Sequence, residues 1–142
     1  MTGIVRRIRH ITRAMVRAEP QTIWVFGDNM AGAGFAGQAR EMRGEPNALG
    51  VPTKWSPRRD HAAYFCDDDA DNPDVRIAII AAFQHMRSAL KGGRDVVIPA
   101  DGLGTGLAEL PTRAPRIHRA IEARIAALTG AAYKQTGLGG AC

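Results

Sequence analysis

The sequence contains little cysteine and few aromatic residues. Two of its 142 residues are cysteines, Cys66 and Cys142, and aromatic residues make up 6% of the chain. Two cysteines are too few for a disulfide framework, and neither has a histidine at the spacing that metal ligands show. We therefore expect no disulfide-stapled fold, no structural metal ion and no cofactor.

Long apolar runs are also missing. No segment reaches about 18 consecutive apolar residues, the length of a membrane-spanning helix. The first nine residues are basic, but they lack the apolar centre of a secretion signal. These absences predict a cytoplasmic protein with no membrane partner.

The sequence does contain an ordinary globular composition with an excess of positive charge. Hydrophobic residues make up 45% and charged residues 23%, and the formal net charge is +5. These fractions are typical of one folded domain, which we place at residues 1–130. Residues 131–142 are rich in glycine and predict a flexible tail. The positive charge favours an anionic partner, either a nucleic acid or a phosphorylated small molecule, although scattered arginines also suit a merely solvated surface.

Two short apolar runs predict strands that are buried on both faces. Residues 22–26 and 95–99 consist largely of β-branched, aromatic or other apolar side chains. Such strands belong to parallel or mixed sheets that are covered by helices. Residues 44–57 contain several prolines and glycines, and they predict a loop with at most a short strand at residues 49–51.

Four segments have helical patterns. A short helix capped by Thr12 follows an initial strand, and a second helical stretch covers residues 38–43. Asn72 precedes a proline and a regularly spaced apolar series, which predicts a long helix ending at residues 92–93. The last helix is predicted over residues 110–130. Alternating strands and helices predict a three-layer α/β/α sandwich with a mixed, mostly parallel sheet.

Each buried strand runs directly into a glycine-rich loop. The first glycine loop, residues 30–37, and the second glycine loop, residues 100–107, each contain three glycines. Ligands of parallel sheets bind beyond the carboxyl ends of the strands, where both loops lie. Glycines let backbone N–H groups approach a phosphate closely, and a helix N-terminus adds partial positive charge. The two loops therefore predict a clamp for a diphosphate, unless the glycines only permit tight turns.

Polar residues beside the loops are candidates for chemistry. Asp28 and Asp101 could activate water and orient ribose hydroxyls, or both could simply cap turns. Asn29 is the third catalytic candidate, and its alternative is a left-handed turn residue. Lys54 beside Trp55 suits phosphate pairing and base stacking, unless the indole covers the core. The candidate ligand-binding residues are Gly27, Gly32, Gly34, Gly37, Gln38, Thr53, Lys54, Gly102, Gly104, Thr105, Gly106 and Leu107.

Both loops resemble those of the macrodomain family. The matching residues are Asn29 with the glycines at 32, 34 and 37, and Pro99-Ala100 followed by residues 104–107 and Pro111. Residues 25–53 and 96–111 are also similar to uncharacterised bacterial and phage macrodomain-like proteins, and the resemblance covers most of residues 8–128. It implies an α/β sandwich whose two loops bracket the diphosphate of ADP-ribose. The sequence lacks the family's N-terminal acidic residue that contacts adenine and the consecutive glycines of its first loop.

The sequence therefore predicts a protein that binds ADP-ribose or a related nucleotide diphosphate. An enzymatic version would hydrolyse an ADP-ribosyl linkage with the three catalytic candidates. A non-catalytic reader would use the same loops to bind free ADP-ribose or an ADP-ribosylated macromolecule. The other alternative is a nucleic-acid-binding protein that uses its basic surface and loses affinity steeply with salt.

Overall fold

Four parallel strands form the central sheet of the protein in a computed structural model, which describes residues 2–129. They are β1 (Val5–Ile8), β2 (Ile23–Asn29), β3 (Ala48–Lys54) and β4 (Val96–Pro99), and their order is β1-β4-β2-β3. All three pairings between these strands are parallel. The sequence predicts a mixed sheet, but the antiparallel pairing among the described residues is limited to an isolated bridge between Lys54 and Tyr64. The predicted tail at residues 131–142 lies outside the described residues.

The five helices cover both faces of this sheet. They are α1 (Arg13–Ala18), α2 (Ala39–Met42), α3 (Pro73–Lys91), α4 (Leu110–Arg113) and α5 (Pro115–Leu128). Two short 3₁₀ helices, His61–Ala63 and Asp67–Asp71, lie between β3 and α3. None of the helices within residues 2–129 is both long enough and apolar enough to cross a membrane.

Alternate residues of the central strands divide the core into two clusters. On β2, Val25 packs with residues of α3 and α5, whereas Trp24 and Phe26 pack with residues of α1 and α2. Successive side chains of a strand point to opposite faces, so a strand that is apolar throughout fills both layers. The predicted three-layer α/β/α sandwich is therefore confirmed.

Capping residues begin the helices as the sequence predicts. The side-chain oxygen of Asn72 accepts hydrogen bonds from the backbone N–H groups of Asp74 and Val75, at 2.9 and 3.3 Å. The Thr12 hydroxyl accepts one from the Met15 N–H at 3.2 Å. These bonds satisfy N–H groups that have no partner within the first helical turn. The long helix and the short N-terminal strand and helix are confirmed.

The prediction for residues 44–57 is wrong about the length of the strand. β3 covers Ala48–Lys54, and its last four residues are buried. It lies at the edge of the sheet and pairs only with β2 among the described strands. An edge strand tolerates Pro52 because a missing N–H on its open side costs no ladder hydrogen bond.

The single C-terminal helix that the sequence predicts is divided into α4 and α5. The break falls at Ala114, whose φ and ψ are −144° and 65°. A residue before proline is disfavoured in the helical region, and Pro115 then starts the next helix as its first residue. The helix that follows keeps the predicted apolar face of Ile117, Ile121 and Ile125, which are buried.

Candidate functional site

A cavity of about 350 Å³ lies at the carboxyl ends of β2 and β3, between the two glycine loops. Its volume is at the lower end of the range of about 300–1,000 Å³ for small-molecule sites. The cavity brings together most of the predicted ligand-binding residues. Those that line it are Gly27, Gly34, Gly37, Gln38, Thr53, Lys54, Gly104, Gly106 and Leu107, together with Asp28 and Asn29.

Three predicted ligand-binding residues do not line the cavity. Gly32 is exposed, Gly102 is buried next to Glu122, and the Thr105 hydroxyl donates to the Asp101 carbonyl oxygen at 2.9 Å. Thr105 is exposed. Its hydroxyl therefore closes a turn of the second glycine loop.

Backbone N–H groups of both loops are available to a ligand. Within residues 2–129, the N–H groups of residues 34–38 and 104–108 donate to no protein acceptor. Most of these residues line the cavity. Successive N–H donors in glycine-rich turns form a concave site for anions. The two loops therefore carry backbone donors of the kind that anion sites use.

Gly104 and Gly106 have different structural requirements. Gly104 has a φ of +76°, and a Cβ there would lie 2.9 Å from Leu110 Cδ2 and 3.0 Å from Thr53 Cβ. Only glycine fits this position without strain. A Cβ at Gly106 would meet no atom within 4 Å. A side chain can therefore be introduced without a clash at Gly106, which lines the cavity, but not at Gly104.

Gln38 joins the two halves of the site. Its Oε1 accepts a hydrogen bond from the Gly27 N–H at 2.7 Å, and its Nε2 donates to the Gly102 carbonyl oxygen at 3.1 Å. Both polar ends of the side chain are therefore used. Gln38 fixes the distance between the end of β2 and the second glycine loop.

Asp28 is held by Arg43, a residue that the sequence analysis did not single out. The guanidinium donates to both carboxylate oxygens of Asp28, and also to the Gly34 and Ala33 carbonyl oxygens at 2.6 and 3.1 Å. The Asp28 side chain is only 16% exposed. This ion pair shapes the first glycine loop. One feature of the sequence points to this role of Arg43: it is a basic residue at the end of the helix that follows the loop.

Asp101 lies outside the cavity. It pairs with Arg9 at 2.7 Å, its side chain is 66% exposed, and it lines a neighbouring groove of about 310 Å³. Gln38 lines both spaces and separates them. The structure does not bring Asp28 and Asp101 together, although β2 and β4 are neighbours.

Asn29 closes a turn at the start of the first glycine loop. Its Nδ2 donates to the Ala33 carbonyl oxygen at 2.8 Å, and its Oδ1 accepts from the Ala33 N–H at 3.3 Å. Among residues 2–129, the non-glycine residues with positive φ are His10 and Glu109. Asn29 is therefore not a left-handed turn residue, and its side chain already has partners on the loop.

Lys54 brings a positive charge to the cavity wall. The residue is only 8% exposed, its Nζ donates to the Arg58 carbonyl oxygen at 2.8 Å, and it lies 4.2 Å from the centre of the Tyr64 ring. No carboxylate in the described part of the chain forms an ion pair with it. Burial, and then the charges of Arg59 and Arg113, lower the pKa of Lys54.

The other residues of the β3 end are structural. The Thr53 hydroxyl donates to the Asp28 carbonyl oxygen at 3.0 Å and strengthens the β2–β3 pairing. Trp55 donates from its indole to Asp69 at 3.2 Å and packs edge-on against Phe65. The indole therefore covers the core and does not line the cavity.

Two exposed apolar side chains frame the mouth of the cavity. Phe35 of the first glycine loop is 65% exposed, and Leu107 of the second is 52% exposed. Pro57 completes this rim. The sequence does not predict the exposure of Phe35, because a pattern of glycines does not tell which loop side chain stays in solvent.

The fold and the site define an α/β protein with a parallel sheet and a cavity between two glycine loops. The chain belongs to a family of unknown function, DUF7831, whose model matches residues 6–124. Searches of curated proteins and of solved structures each found no match. Among residues 2–129, no three His, Cys, Asp or Glu side chains lie close enough together to hold a metal ion.

Proposed function

We propose that the protein binds ADP-ribose or a related nucleotide diphosphate in the cavity between the two glycine loops. The observation that carries this proposal is that both loops have backbone N–H groups without a protein acceptor, and that most of these residues line one cavity. Phosphate oxygens are the acceptors that such backbone sites prefer. The resemblance of both loops to those of macrodomains points to the same ligand.

The charged side chains of the cavity support an anionic ligand. Arg43 is neutralised by Asp28, whereas Lys54 has no carboxylate partner in the described chain. A buried charge without a counter-ion costs free energy. A ligand that supplies negative charge relieves this cost, and the relief adds to its binding free energy. A diphosphate would meet both the N–H groups and Lys54.

The bonding of the candidate catalytic residues favours a reader over a hydrolase. A general base needs a carboxylate oxygen that can reach the attacking water. Both oxygens of Asp28 accept hydrogen bonds from Arg43, and Asp101 lies in the neighbouring groove. Binding of ADP-ribose without turnover is therefore the version that this arrangement supports best.

Gly106→Glu tests the proposal. Gly106 lines the cavity, and a side chain there would meet no steric clash. The new carboxylate would bring negative charge close to the bound phosphates, and like charges in contact disfavour binding by several kcal/mol. We expect titration calorimetry to show ADP-ribose binding to the parent and a loss of more than about 100-fold in the variant. Gly106→Ala is the matched control, and it should keep the parent affinity and melting temperature.

Two results would overturn the proposal. Absence of binding of ADP-ribose, AMP and NAD to the parent protein would exclude a nucleotide cavity. Equal ADP-ribose affinity in the parent and in Gly106→Glu would place the ligand elsewhere on the molecule. Conversion of a bound ADP-ribosylated substrate to products would favour the hydrolase over the reader.

A further inference from the structure

A basic surface adjoins the mouth of the cavity beside Lys54. The Tyr64 ring lies 4.2 Å from Lys54 Nζ and 3.8 Å from the Arg113 guanidinium carbon. Arg59 is exposed and close enough to act on Lys54 electrostatically. We call Lys54 and Arg113, which pack on Tyr64, together with Arg58 and Arg59 beside Lys54, the Tyr64 surface.

The Tyr64 surface keeps a net positive charge. Arg58 pairs with Asp60 at 2.9 Å, and Arg113 pairs with Glu109 at 3.3 Å. Both pairs are solvent-exposed and are therefore weak. In the described part of the chain, Lys54 and Arg59 have no ion-pair partner. A polyanion can thus replace the weak partners of Arg58 and Arg113 and also contact Arg59.

This surface is continuous with the cavity. Lys54 and Pro57 line the cavity wall, and Arg58 and Arg59 follow Pro57 directly in the chain. A ligand that fills the cavity and leaves it on this side passes over the exposed arginines. A free mononucleotide enclosed between the loops would not reach them.

Phe35 offers an aromatic face at the same mouth. It is 65% exposed and lines the cavity rim, where an apolar side chain costs free energy in water. Bases of single-stranded nucleic acids stack on such aromatic side chains, while basic grooves follow the phosphate backbone. An acidic peptide would pair with the cations, but it would leave Phe35 and the backbone N–H groups of the two glycine loops without a partner.

We propose that the ligand of this protein is the phosphorylated end of a single-stranded nucleic acid. Its terminal phosphate lies between the two glycine loops, its first base stacks on Phe35, and the following phosphates contact the Tyr64 surface. This inference rests on the proposed function, since it uses the same cavity. It extends the ligand from an isolated nucleotide to the end of a strand.

The test compares the binding of AMP with that of two single-stranded pentanucleotides. One pentanucleotide carries its terminal phosphate at the 5′ end, and the other carries it at the 3′ end. We expect one of the two oligonucleotides to bind at least about tenfold more tightly than AMP at low salt. Arg59→Gln should weaken oligonucleotide binding, lower its salt slope by about 0.7, and leave AMP affinity unchanged. Arg87→Gln is the matched control, because Arg87 is an exposed arginine on α3 that does not line the cavity between the loops, and its substitution removes the same charge.

The outcomes separate this inference from the proposed function. If AMP and the oligonucleotides bind equally, and Gly106→Glu abolishes both, the cavity holds a nucleotide but the strand-end inference is wrong. Oligonucleotide binding that survives Gly106→Glu would overturn the strand-end inference as well, because the strand would bind away from the cavity. A glutamate-rich peptide that binds as tightly as the oligonucleotide would assign the Tyr64 surface to a protein partner instead.

Discussion

Lys54 shows how one side chain can be costly for the fold and useful for binding. Burial lowers its pKa, which means that the surroundings disfavour the charged ammonium group relative to water. The Tyr64 ring and the Arg58 carbonyl oxygen compensate only in part. Uncompensated charge at a ligand cavity is typical of a functional residue.

Replacing Lys54 by methionine should separate these two roles. The variant keeps most of the side-chain volume and removes the buried charge, so we expect a higher melting temperature. ADP-ribose should bind about 10- to 100-fold more weakly, the range for loss of a charge-assisted hydrogen bond. Thermal unfolding and calorimetry measure both effects.

Lys91→Met serves as the matched control, since Lys91 is exposed at the end of α3. Lys91→Met should leave both the melting temperature and the ADP-ribose affinity unchanged. A Lys54→Met protein that is less stable and binds ADP-ribose normally would show that Lys54 only supports the fold.

At the scale of elements, the first glycine loop depends on the end of the next helix. Arg43 follows α2 and bonds Asp28, Ala33 and Gly34 at once. The loop is therefore fixed by a side chain that approaches it from outside. Asp28 has a shaping role that its position after an apolar run did not predict.

Asp28→Asn should destabilise the protein, whereas Asp101→Asn should not. The first change leaves the Arg43 guanidinium, 14% exposed, without its counter-ion, which costs about 1–3 kcal/mol. The second breaks an exposed pair with Arg9, and such pairs contribute little. Urea unfolding of both variants measures the difference. Equal stability of the two variants would contradict a shaping role for the Asp28–Arg43 pair.

The elements differ in how well the sequence predicts them. α3 was predictable because Asn72, the following proline and a regular apolar face all favour the same helix. β3 was underestimated because its proline and glycine indicate a loop. The edge position in the sheet makes Pro52 acceptable, and Gly50 leaves room for the Asp28 side chain packed against it. The glycine loops were predictable from their spacing, but Arg43 and Phe35 were not, since the direction of their side chains depends on tertiary packing.

Across the whole molecule, ion pairs connect segments that are distant in sequence. Arg13 and Arg17 of α1 both bind Glu45, which follows α2. Arg6 of β1 binds Glu19, and Arg116 of α5 binds Asp71. These pairs join the outer layers to the sheet and to each other.

Acidification should weaken the whole protein through these carboxylates. Hydrogen bonds from their arginine partners lower the pKa of Glu19, of Glu45 and of Asp71. A lowered pKa contributes stability that is present above the ordinary pKa of about 4 and is lost as the pH falls through the folded-state value. We therefore expect the urea midpoint to fall steadily as the pH is lowered from 6 toward about 2.5.

Glu45→Gln should flatten this dependence. Glu41→Gln is the control, because Glu41 forms no ion pair within residues 2–129. If both variants keep the parent's dependence on pH, the Glu45 pairs do not couple protonation to folding.

The strand order also affects how the chain is made. β1 aligns with β4, so Val5 reaches its partner Val96 only after the intervening chain has been synthesised. At about 5–20 residues per second, that wait lasts on the order of 5–20 seconds on the ribosome. A waiting strand is open to pairing with other nascent chains, and charged side chains oppose such pairing. Arg6 and Arg7, in the middle of β1, place two positive charges on this waiting strand, and charge of this kind disfavours such pairing.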